Sequence, residues 1–261
     1  MENSAIISMI SLTSFLLASS LVALGFKQSF RPAFGLRLGY FLFVIGTLSA
    51  TVDAVQSGST AHLLAAAVAW ATVISWFVWR LELVGAFTAP VIAITLLASI
   101  FFSPTRARIG NINDTSLQIH IFSAVIGQTF AILACGMSLL FLWLDKKLKS
   151  KALNDLPTRF PAFTTLTKAL TITLWIGFTF ISISLLTGAV FALNGQLENI
   201  PTMYPKILWA ILVWVWYLCI LVLKEIRDYR PQKVARMSLI GFVLLAVSWF
   251  GLLSAGSWGP Q

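Results

Sequence analysis

Residues 119–163, IHIFSAVIGQTFAILACGMSLLFLWLDKKLKSKALNDLPTRFPAF, decide the fold class. From Ile119 to Leu144 there is no Asp, Glu, Lys or Arg; then Lys146, Lys147, Lys149 and Lys151 follow at once. A helix rises about 1.5 Å per residue and needs some 20 apolar residues to cross the roughly 30 Å hydrocarbon layer. This run is long enough, and a basic segment directly after such a run marks a cytoplasmic connection. The stretch is therefore a membrane span with an inward-facing basic loop.

The rest of the chain repeats the pattern. Of its 261 residues 58% are hydrophobic and only 10% charged, too little ionised surface for a soluble domain of this size. Apolar runs fall near residues 4–24, 34–54, 61–79, 84–102, 115–143, 166–193, 205–223 and 236–256. They predict an all-α polytopic membrane protein with eight transmembrane helices, forming one integral-membrane domain over residues 1–261. A barrel is disfavoured because the runs are too long and do not alternate in polarity. The first run has no basic region before it and is read as a span, not a cleaved signal.

Eight spans place both termini on one side. The alternate connections then gather 15 of the 18 Lys and Arg residues, leaving Arg106, Arg108 and Lys206 opposite. By the positive-inside rule the larger group is cytoplasmic and both termini face outward. The net charge of +9 thus serves topology, and no nucleic-acid partner is expected. Arg106 and Arg108 fit a solvated outer connection, or contact with an anionic group.

Ser123, Gly127, Ala131 and Ala134 recur at helical spacing in the fifth run, as do Gly177, Ser184 and Gly188 in the sixth. Such small-residue stripes predict closely packed helices. Pro90 is expected to kink the fourth span. Cys135 and Cys219 belong to no CxxC or CxxCH motif and are read as buried packing thiols.

Few titratable groups remain. His62 opens the third span and His120 the fifth, while Lys206 opens the seventh, so all three fall at the outer end of the bundle. A neutral imidazole can ligate haem iron, and an ammonium at the boundary can meet a propionate. Interfacial packing for the histidines and snorkelling for the lysine are the alternatives. Trp209 and Trp216, seven residues apart, share a face that Trp214 does not. Flat indoles suit a porphyrin and a lipid interface equally. No carboxylate pair, nucleophile elbow or phosphate loop is present to support catalysis.

The order of several segments resembles the integral-membrane cytochrome c assembly family, particularly its small HemX-like and YpjD-like inner-membrane branch. HLLAAAVAW, ending at Trp70, is similar to an early family span. The opening stretch follows, with His120 at the family histidine, a basic loop and a Leu-Pro element. WIGFTFISISLLTGAVFAL continues it, then YPKILWAILVW, where Pro205, Lys206 and Trp214 match a family DPK element and Tyr204 replaces its acidic residue. RDYRPQKVARMSLIGFVLLAVSWFG closes the resemblance, which is clearest over about residues 117–253. The outer connection NGQLENIPTMYPK lacks tryptophan, and Gly256 stands where a further family histidine is expected.

The resemblance implies a non-catalytic haem-binding membrane protein acting in cytochrome c assembly or haem homeostasis. It implies non-covalent haem b, with His120 and His62 as iron ligands and Lys206, Trp209 and Trp214 around the ring. Partners would be the bilayer and proteins of cytochrome assembly or haem biosynthesis. An accessory or regulatory scaffold without stable haem is the first alternative. A small-molecule transporter is the second, though no repeat or mid-membrane ion cluster favours it.

Overall fold

The computed structural model describes residues 2–25, 32–101, 115–150, 162–193, 200–227 and 230–255. Among the described residues the regular structure is entirely helical. The helices are α1 (Glu2–Gly25), α2 (Pro32–Ser57), α3 (Thr60–Trp79), α4 (Gly85–Phe101), α5 (Thr115–Lys149), α6 (Phe163–Leu193), α7 (Ile200–Arg227) and α8 (Pro231–Ala255). Five contain stretches long and apolar enough to cross a membrane: Arg37–Ser57, Thr60–Trp79, Thr115–Lys149, Phe163–Val190 and Ile207–Ile226. Ile6–Leu21 and Gly85–Ala98 are shorter apolar helices.

These apolar sequences form helices because the helix satisfies every backbone amide internally where no water is present, and their hydroxyls find partners one turn back. Thr47 donates to the Phe43 carbonyl, Thr72 to Val68 and Thr129 to Val125, each at 2.8 Å. These three buried hydroxyls are thereby satisfied within their own helices, as an environment without water requires. Pro90 lies inside α4, which continues through it.

Two hydrophobic cores share α5. One joins α1–α4 to α5 through Phe15, Phe43, Leu64, Ile92, Val125 and Ile132. The other joins α5–α8 through Leu133, Met137, Leu170, Tyr217 and Val234. Accordingly α5 is the most enclosed helix, with 72% of its apolar window buried against 22% for α7. Cys135 is buried on α5, but Cys219 is exposed on α7. The expectation of two buried thiols fails for Cys219 because an outer helix is apolar on its exposed face as well, so hydrophobic neighbours in sequence do not imply burial.

The small-residue stripes face each other along α5 and α6. A methyl placed on Gly127 would lie 2.8 Å from Ile181 Cγ1 and 3.0 Å from the Ile181 backbone nitrogen. Since the backbone cannot yield as a side chain can, Gly127→Ala is expected to lower stability by about 1–3 kcal/mol. Thermal unfolding of detergent-solubilised protein checks this, and an unchanged midpoint would contradict the close approach.

Two helix ends adopt left-handed backbone. Gly58 (φ 60°) closes α2, donating to the Ala54 carbonyl at 3.0 Å, and turns the chain directly into α3. Arg80 (φ 53°) ends α3, its N–H reaching the Ser75 carbonyl. A 3₁₀ turn, Glu82–Val84, then leads into α4.

Candidate functional site

The site starts from the α5–α6 seam. His120, in the second turn of α5, lies 2.7 Å through Nδ1 from the Ser184 carbonyl of α6. A carbonyl only accepts, so Nδ1 carries the proton, and in a neutral imidazole the lone pair is then on Nε2. Ser184 also donates its hydroxyl to the His120 carbonyl at 3.3 Å, closing a reciprocal pair between the helices. Gly188, one turn further, gives the ring its space: a methyl there would lie 2.8 Å from both Cε1 and Nδ1. Nε2 has no hydrogen-bond partner among the described residues. A histidine fixed through one nitrogen with the other free is the arrangement in which protein imidazoles ligate metals.

His62 sits differently. Its Nε2 is 3.2 Å from Oδ2 of Asp53, which also accepts a 2.5 Å hydrogen bond from the Ser8 hydroxyl. Asp53 is only 1% exposed. The sequence alone places Asp53 near the outer end of the second run without pairing it. A readable signal exists, because Asp53 and His62 flank the Gly58–Ser59 link almost symmetrically. A helical hairpin that tight brings such positions together. With Nε2 facing Asp53, the remaining nitrogen is the buried Nδ1. Thus α5 and α6 hold one imidazole, while α1 and α2 hold the other.

The indoles tie α7 to its neighbours. Trp209 and Trp216 donate to the Leu244 and Met237 carbonyls of α8, both at 3.0 Å, so the shared face expected from their spacing is the α8 face. Trp214 instead donates to Ser182 Oγ of α6 at 2.8 Å and stacks on Phe178 with centroids 5.6 Å apart. Ser182 and Ser184 are two residues apart, about 200° around a helix, so Trp214 and His120 meet opposite flanks of α6. Trp70 donates to Thr51 Oγ1 at 2.9 Å, linking α3 to α2. Lys206 lies in the first turns of α7 with its side chain outside those described, and Arg106, Arg108 and Gly256 lie outside the described residues.

For a haem, the donor set fits at His120, where a neutral nitrogen is free on a partly exposed ring. His62 fits only if the ring turns or Nε2 leaves Asp53. Among the described residues no group of three or more His, Cys, Asp or Glu side chains is placed to hold a metal ion. What the arrangement offers chemically is a single oriented imidazole on a tightly packed seam.

Apolar helices of spanning length, joined at short links around one central helix, define a multi-pass membrane protein. Residues 56–258 match the model of the cytochrome C assembly protein family, and the chain belongs to that family. The chain is 34% identical to the cytochrome c biogenesis protein CcsA of Arabidopsis thaliana over 77 residues, 30% of this chain and 23% of that protein. With CcsA of Chlamydomonas reinhardtii it is 27% identical over 137 residues, covering 52% and 37% of the two chains. The aligned regions thus span well under half the length of these relatives. No solved structure matches the chain.

Proposed function

We propose that this protein binds b-type haem non-covalently at the outer end of an eight-span bundle and serves cytochrome c assembly or haem homeostasis. The observation that carries the reading is the 2.7 Å contact between His120 Nδ1 and the Ser184 carbonyl, in a chain of the cytochrome c assembly family. It fixes the tautomer and aims Nε2 away from α6. Haem, when bound, supplies the iron and any redox chemistry. The protein supplies orientation: Ser184 and Gly188 set the imidazole, while Trp209 and Trp214 brace α7 against α8 and α6.

In this reading His120 would hold the haem iron. His62 would join it only on release from Asp53, and Lys206 would meet a propionate at the same boundary. The 15-to-3 division of basic residues supports eight spans with both termini in the periplasm of a bacterial inner membrane. Relatives named for cytochrome c biogenesis support assembly proteins as partners.

Protein purified gently from membranes is expected to show a Soret band, extractable as unmodified haem b. A preparation without bound chromophore that also fails to take up added haem would end the proposal. Accessibility labelling of cysteines introduced near positions 120 and 206 is expected to report the same membrane side.

A further inference from the structure

A groove of about 620 Å³ runs between α2 and α3, away from both histidines. Tyr40, Phe41 and Val44 form one wall, Trp76 and Phe77 the other, and Arg80 stands at one end. Tyr40 and Trp76 rings meet with centroids 5.1 Å apart, making a continuous aromatic floor. Because α2 and α3 form a hairpin, the start of one lies beside the end of the other. Arg37 does not line the groove itself but stands one turn before Phe41, toward the end of the hairpin where Arg80 lies. It is exposed and falls on the Phe41 and Val44 stripe, four and seven residues before them. Neither guanidinium pairs with a carboxylate among the described residues.

Arg80 also occupies its position at a cost. Its backbone is left-handed (φ 53°), at a helix end where glycine is favoured and a β-carbon is strained.

We propose that this groove is a binding site for an anionic glycerophospholipid. One acyl chain lies along Phe41, Val44 and Phe77, and the phosphate is held between Arg37 and Arg80. Two planar guanidinia match phosphate oxygens in a way a neutral headgroup cannot use. The apolar trough explains why the ligand is a lipid and not a free anion. The site is independent of the haem reading and of which side is cytoplasmic.

The test uses the full-length protein delipidated in mild detergent, with thermal unfolding and native mass spectrometry as readouts. Dioleoyl phosphatidylglycerol is expected to raise the wild-type midpoint and to remain as a bound adduct. Each guanidinium removed should weaken its apparent affinity about tenfold, measured in Arg37→Gln and Arg80→Gln. Arg80→Gly should weaken the lipid response about as much as Arg80→Gln does, while its lipid-free midpoint stays equal to wild type or rises. That separates binding from folding. Dioleoylglycerol and glycerol phosphate should each give no comparable shift. An equal response to either, or an undiminished phosphatidylglycerol response in Arg37→Gln/Arg80→Gln, would overturn the proposal. So would a dimeric mass that persists after delipidation with no lipid-dependent shift, which would assign the groove to a second copy.

Discussion

Gly188→Ala is expected to remove haem almost as effectively as His120→Ala. The added methyl would fall 2.8 Å from Cε1 and Nδ1 of His120, closer than such atoms approach, so the ring must leave the Ser184 carbonyl or α6 must retreat. Either response disturbs the hydrogen bond that fixes the ligating tautomer. Removing the partner that orients a metal-bound histidine weakens metal binding by about 10–100-fold. His120→Ala, which deletes the ligand, should lose the Soret band outright. The pair is informative because Gly188 has no atom of its own to offer iron. If Gly188→Ala retained wild-type haem affinity and spectrum, the Ser184 contact would not be what orients the ligand. If His120→Ala retained both, His120 would not be the ligand.

His62→Ala should cost about 1–3 kcal/mol in stability, the range for leaving a buried hydrogen-bonding group without its partner. Asp53 is 1% exposed, and its Oδ2 would keep the hydrogen bond from the Ser8 hydroxyl. His62→Gln, which can still donate toward that oxygen, should lose less. Chemical or thermal unfolding in one detergent provides the comparison. Equal loss in both variants would show that imidazole packing, and not the Asp53 contact, is what matters. Haem content measured alongside should fall less than in His120→Ala, since Nε2 of His62 already faces Asp53. A fall as deep as that of His120→Ala would instead make His62 a second residue that holds the haem.

The helical architecture was legible because it rests on properties that survive without coordinates: uncharged length, basic flanks and small-residue spacing. Gly127, Gly177, Ser184 and Gly188 announced a packed seam, and the indole spacing separated Trp209 and Trp216 from Trp214. The partner of His120 was not legible. Every residue carries a carbonyl, and only the register of α5 against α6 selects that of Ser184. The Asp53–His62 pairing was legible only in part: the two residues flank Gly58–Ser59, but how tightly the chain turns there depends on the left-handed backbone of Gly58. Cys219 shows the limit of hydrophobicity as a measure of burial when the surroundings are themselves apolar.

The helix at the centre has a mechanical consequence. Because α5 contributes to both cores, neither half of the bundle can come apart without stripping one side of it. Unfolding should therefore proceed as one cooperative event, and occupancy near Nε2 of His120 should raise the melting of the amino-terminal and carboxy-terminal halves together. A ligand felt through a common wall in this way would report its presence to surfaces it never touches.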